Sequence, residues 1–263
     1  MKRIKHILFF IFIVQILLLF IFGCAESSKG KLSNPIEIAD SSGVIRNFNI
    51  YFPKKGEGEL PLLVYFHGVR SEGFKDKPVL KGYTGSPVSE TGLIPFCNAN
   101  SIILLEILPS YTYKFLDVEA SGWSPFEKEI EGIETCIDTV IKKYNIDSGQ
   151  VYLAGISAGA VMSNHLANRW PGKFRGILSH SQAYISEKNE ILEPIDSGKK
   201  FKVIICYTKG DYQNLKDICE SSYEKYKEHN YNVVILRDLP PSGHKWSNST
   251  NGRFWRLLSG RNE

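Results

Sequence analysis

Ser157 stands between Gly155 and Gly159 in VYLAGISAGAVM (151–162), behind an apolar run and ahead of a helix-like one. Glycines two positions before and after a serine leave room for a backbone that doubles back sharply. A strand that ends in such a turn and passes directly into a helix lifts the hydroxyl above the sheet edge. It also points the unpaired N–H groups of the first helical turn at whatever bonds to that hydroxyl. The chemistry this allows is nucleophilic attack. A serine at its free pKa is too weak for that alone, so it needs a base, and the base needs an acid to orient it.

On a sheet of this kind the partners follow in the order serine, acid, histidine. Of six histidines, His6 lies near the start, and His67 and His165 do not follow an acid placed after Ser157. His180 ends the strand after the serine helix with no strand-end acid before it. His229, in KEHN, reads as a helix C-terminal cap. His244, in LPPSGHKW, follows the last strand directly and is the expected base. Asp211 lies three residues past the strand-like FKVIICYT, behind Gly210, and is the expected acid; Asp238, closing the last strand, is the alternative. Asp196 and Asp217 read as solvated carboxylates. A developing oxyanion needs donors. The backbone N–H of Ala158, first in the helix, supplies one, and that of Val69, in the loop after LLVYFHG, the other.

These positions require an alternating chain. VIRNFNIYFP (44–53) alternates polar and apolar residues, whereas LPLLVYFHG (60–68) and SIILLEILP (101–109) are apolar on both faces, as central parallel strands are. PFEKEIEGIETCIDTVIKKYNI (125–146) sets Ile130, Ile133, Ile137, Val140 and Ile141 at helical spacing. Strand VYLAGI, helix AGAVMSNHLANRW, strands FRGILSHS and FKVIICYT, helix NLKDICESSYEKYKEHN, strand YNVVILRDL and helix RFWRLLS follow. The expectation is an α/β fold, one mostly parallel central sheet with helices on both faces, over 36–260.

The amino terminus is of another kind. MKRIKH is basic, and residues 7–22 are an apolar run broken only by Gln15. A span needs about 20 apolar residues, so the run suits a secretory signal better than a permanent anchor. Ile21-Phe22-Gly23-Cys24 resembles a bacterial lipoprotein signal, although Phe22 is bulkier than usual there. That resemblance implies a signal peptide over 1–23, lipidation of Cys24, a polar tether over 24–35, and export to a membrane-anchored or otherwise secreted location. A plain anchor helix or a signal cleaved elsewhere is the alternative. Cys97, Cys136, Cys206 and Cys219 are expected as buried thiols, with 206–219 the one pairing to check. The net charge of +4 and the absence of a basic run in the 263 residues argue against a nucleic-acid partner.

The stretch from about 43 to 258 resembles α/β-hydrolases, and among them secreted esterases of the polyhydroxybutyrate-depolymerase and feruloyl-esterase type. RNFNIYFP, LPLLVYFHG, GW at 122–123, residues 144–177, TKGD and GHKW carry it. The resemblance implies a Ser-Asp-His triad at Ser157, Asp211 and His244, and cleavage of a carboxylic ester through an acyl-enzyme without cofactor or metal. It departs from the family in VRSEG, which replaces the usual glycine-rich stretch after His-Gly, and in 71–98. Trp123 is assigned to the wall of the acyl pocket, with a core tryptophan as the alternative. An ester hydrolase, an exopeptidase or acyltransferase with the same triad, and a non-catalytic surface-binding lipoprotein are the three functional classes to separate. A small-molecule or polymeric ester is the partner the first implies.

Overall fold

The computed structural model describes residues 36–40, 43–69, 88–109, 112–115, 118–121, 123, 127–186 and 188–260. The expected signal segment 1–23, Cys24, the expected tether 24–35 and most of the 71–98 stretch lie outside them. Among the described residues no helix is long and apolar enough to cross a membrane.

The described residues form ten strands: β1 (Ile36–Ala39), β2 (Ile45–Tyr51), β3 (Leu60–Phe66), β4 (Ile103–Ile107), β5 (Thr112–Phe115), β6 (Val118–Ser121), β7 (Ile146–Ile156), β8 (Gly176–His180), β9 (Lys202–Thr208) and β10 (Val233–Leu239). The helices are α1 (Leu93–Ala99), α2 (Glu127–Lys143), α3 (Ala158–Arg169), α4 (Gln213–Glu228) and α5 (Asn251–Ser259). Eight strands form one sheet in the order β1-β2-β4-β3-β7-β8-β9-β10, and β5 and β6 pair separately. β1 runs antiparallel to β2, and β2 to β4. From β4 to β10 every neighbouring pair is parallel. The mostly parallel sheet expected from the alternating pattern is therefore present. β1, the β5–β6 pair and the early start of β7 at Ile146 were not legible in it.

Both faces of the sheet are buried, which is why a central strand such as β3, LPLLVYF, is apolar on both sides. Leu62, Val64 and Phe66 point into one core, filled by Ile133, Ile137 and Val140 of α2, Met162 and Leu166 of α3, and Cys219 and Tyr226 of α4. Leu63 and Tyr65 point into the other, under Leu93 and Cys97 of α1 and Phe254, Trp255 and Leu258 of α5. α3 packs through polar groups as well. Asn164 Nδ2 donates to Ser179 Oγ at 2.6 Å, and Tyr226 OH donates to Asn164 Oδ1 and accepts from Asn168 Nδ2, each at 2.8 Å. These buried, paired groups tie α3 to β8 and α4 in one register.

The chain reverses its direction of growth across the sheet between β3 and β7: β4 lies on one side of β3, and β7 on the other. Ligand crevices of open parallel sheets lie outside the carboxyl ends of the strands at such a reversal. Val69 follows β3 there, and Ser157 follows β7.

Candidate active site

The turn at Ser157 is as tight as its glycines demand. A Cβ on Gly155 would lie 2.2 Å from the carbonyl carbon of Gly159, and one on Gly159 would lie 2.1 Å from the carbonyl oxygen of Phe66. Both obstacles are backbone, so neither can move aside. Ser157 itself has φ 55° and ψ −126°, a region that side-chain-bearing residues rarely occupy. Its carbonyl accepts from the N–H of Ala160 at 2.8 Å, and its N–H donates to the carbonyl of His180 at 2.8 Å. The hydroxyl makes no capping bond to α3. Ala158, the first residue of α3, carries one of the N–H groups that a helix start leaves without an intrahelical acceptor.

The acid and base positions meet on the neighbouring loops. His244 Nδ1 lies 2.9 Å from Asp211 Oδ1, with the Asp211 side chain buried and that of His244 nearly so. The two loops are stitched together by backbone. Gly243 N–H donates to the carbonyl of Lys209 at 2.8 Å, Lys209 N–H to that of Leu239 at 2.9 Å, and the Thr208 hydroxyl to the carbonyl of Gly243. Gly210 makes this possible: at φ 76° its missing Cβ would stand 2.5 Å from Ser242 Oγ. Asp238 faces elsewhere. It is exposed on β10 and pairs with Lys216 Nζ at 3.2 Å. Asp196 and Asp217 are in exposed pairs, with Lys200 and Gln213.

The Asp211 carboxyl feels opposed effects. Burial pushes its pKa up, but the bonds from His244, from the Ser181 hydroxyl and from the Tyr212 N–H together hold it below its ordinary value. Asp211 is thus ionised where His244 meets it, and its charge favours a proton on the facing imidazole nitrogen. The thiols offer no rival nucleophile among the described residues. Cys97, Cys136, Cys206 and Cys219 are free and buried, and burial pushes all four up, Cys136 to about 11. Cys206 and Cys219 do not pair. Among the described residues no group of His, Cys, Asp and Glu side chains could hold a metal ion.

At the β3 end, Val69 is buried three residues beyond the strand. His67 and Trp123 hold that loop. His67 Nδ1 sits against the carbonyl of Gly68, and Trp123 Nε1 donates to the carbonyl of His67 at 2.6 Å. The Trp123 indole also stacks edge-on against Phe66 at 5.1 Å. These contacts are those of a core residue that braces the loop.

Two site residues escaped the sequence reading. No strand-end acid precedes His180 in the sequence, yet its Nδ1 lies 2.8 Å from Ser181 Oγ, and that hydroxyl reaches Asp211 Oδ2. The available signal was the polar SHS ending an otherwise apolar strand. What it touches depends on the pairing of β8 with β9, which local sequence does not show.

The phospholipase/carboxylesterase family matches residues 111–250, more than half of the chain. Acetylxylan esterase A of Emericella nidulans is 23% identical over 160 residues, 59% of this chain and 48% of that protein, so the chain spans about half the length of this curated relative. Among solved structures, an S-formylglutathione hydrolase from Agrobacterium tumefaciens superposes with TM-score 0.62 at 12% identity, covering 88% of this chain and 98% of that one. A thermostable esterase gives 0.56 at 17%, covering 78% and 54%. An isopeptidase gives 0.59 at 14%, covering 89% and 41%. At these identities the structural likeness is one of fold, and the fold is that of the α/β-hydrolases. The glycine-flanked serine turn, the strand order and the sequence match agree, and the chain belongs to the phospholipase/carboxylesterase family.

Proposed function

We propose that the protein is an exported, membrane-anchored serine hydrolase that cleaves carboxylic esters with short acyl or aryl-acyl groups. Ser157 Oγ attacks the ester carbonyl carbon while His244 takes the hydroxyl proton. Asp211 holds the imidazole and balances the imidazolium charge that forms. The N–H groups of Ala158 and Val69 receive the oxyanion. His244 then returns the proton to the departing alkoxide, leaving an acyl-serine, and water reverses the sequence to release the acid. Trp123 braces the loop that carries Val69, and a lipid on Cys24 keeps the domain at a membrane surface.

The observation that carries the reading is the 2.9 Å bond between an ionised, buried Asp211 and His244, on stitched loops that follow β9 and β10 at the same end of the parallel strands as the Ser157 turn after β7. The preference for short acyl groups rests on the insert between β8 and β9. It is short and polar in sequence, with a turn closed by Ser186 and Glu190 rather than an apolar lid. A fluorophosphonate probe and an acyl-chain series of p-nitrophenyl esters test both parts. Labelling that Ser157→Ala abolishes, with short chains turned over at least about tenfold faster than long ones, is the expected result. A rate maximum at long chains, or cleavage of aminoacyl anilides without ester hydrolysis, would replace the esterase with a lipase or a peptidase.

A further inference from the structure

The two oxygens of the Asp211 carboxylate are held by different parts of the molecule. Oδ1 takes His244 Nδ1 and the N–H of Tyr212, each at 2.9 Å. Oδ2 takes the hydroxyl of Ser181, at the end of β8. An ionised carboxylate only accepts, and a hydroxyl has one proton, so the Ser181 proton lies toward Asp211. Ser181 Oγ is in turn 2.8 Å from His180 Nδ1. That nitrogen must then donate, which places the proton of a neutral His180 on Nδ1 and leaves Nε2 a bare lone pair. Nε2 is buried and has no hydrogen-bond partner among the described residues, as this tautomer permits. The ring is fully buried and stacked on the Trp246 indole, with centroids 5.3 Å apart and planes 22° from parallel. Burial lowers its pKa to about 3, so it stays neutral near neutral pH.

Ser181 occupies an awkward position for a serine. Its φ is 58°, in the left-handed region that glycine enters without cost. The side chain held there is the one that reaches the acid.

From this chain of donors we infer that Ser181 is a positioning residue for Asp211, and that His180 acts behind it by orienting the Ser181 hydroxyl. The inference deepens the ester-hydrolase reading and rests on it. Ser181 fixes the plane of the carboxylate and shares its charge, so that the remaining oxygen faces His244 in one orientation. The ionisable groups facing Asp211 come from four places: His244 after β10, His180 on β8, Cys206 on β9 and Cys219 on α4. Burial pushes both thiols up, so they remain uncharged near neutral pH.

The test uses Ser181→Ala, His180→Asn and His180→Gln, assayed on a short p-nitrophenyl ester beside Ser157→Ala. An asparagine amide reaches the place of Nδ1, and a glutamine amide that of Nε2. Ser181→Ala is expected to lower kcat about tenfold or more at little-changed KM. It should also move the acidic limb of kcat/KM to higher pH, because a carboxylate short of one donor accepts more strongly from His244. His180→Asn should keep kcat within about threefold of the parent, while His180→Gln falls toward Ser181→Ala. Circular dichroism and thermal unfolding establish that each variant is folded. An unchanged kcat and pH limb in folded Ser181→Ala overturns the inference, and so does equal activity of the two His180 variants. If Ser181→Ala does not fold, the His180 pair decides alone. Full activity in Ser157→Ala is a different failure: it removes the ester-hydrolase reading, and this inference with it.

Discussion

The N–H of Ser157 donates to the carbonyl of His180 at 2.8 Å, so the serine turn is bonded to the strand end whose next residue reaches the acid. β7 and β8 are in register up to Ile156 and His180, and this bond continues their ladder one step past the strands. The Ser157 turn and the Ser181 bond to Asp211 therefore share one edge of the sheet.

The strain at that edge predicts opposite stability effects for two neighbouring substitutions. Ser157→Gly removes a side chain from a φ of 55° and should raise the unfolding free energy by about 1 kcal/mol, with activity lost. Gly159→Ala drives a methyl group into the backbone of β3 and should cost about 2 kcal/mol or more. Urea unfolding of the two variants measures both. Equal stability would mean that the turn is looser than its contacts indicate.

The acid assignment separates two aspartates. Asp211→Asn should reduce kcat on the order of a thousandfold or more by misorienting the imidazole of His244. Asp238→Asn, which loses only a half-exposed pair with Lys216, should leave kcat within about twofold and shift stability by less than about 1 kcal/mol. Steady-state kinetics on one short ester decides the order, and the reverse order would move the acid to β10.

Acid sensitivity should begin with His180. Below about pH 6.5 the unfolded chain binds a proton at this residue that the folded protein refuses until about pH 3. Stability therefore falls as pH drops through that window, with a slope of at most about 1.4 kcal/mol per pH unit from this group. Asp211 acts lower: its contribution is complete above its ordinary value of 3.8 and is lost as pH falls through its lowered folded value. Urea midpoints between pH 7 and 5 should decline in the parent and flatten in His180→Asn. Parallel curves for the two would assign the sensitivity elsewhere.

The proposed membrane location is tested at Cys24. Cys24→Ser should abolish incorporation of labelled fatty acid and either release the domain into the soluble fraction or leave an uncleaved precursor. Lipid labelling that persists in the variant would defeat the lipoprotein proposal.

What the sequence determined by itself is local. Gly155, Ser157 and Gly159 specify their turn because the obstacles to a side chain there lie within a few residues or on the adjacent strand, and only glycine clears them. The helical spacing of Ile130, Ile133, Ile137 and Val140, and the two-sided apolar run of β3, likewise reflect burial that period alone reveals. Tertiary structure decided the rest. Asp211 lies three residues past β9 and Asp238 within the end of β10, and in the chain alone only strand-end position and Gly210 favour the first. They differ because Gly210 and Gly243 fold two loops together over Asp211, while α4 offers Lys216 to Asp238. His180 and Ser181 became part of the site only because β8 lies between β7 and β9 in the sheet. Hydrogen bonds between residues 30 positions apart depend on strand order and register, which are set by the packing of the whole sheet between its helices.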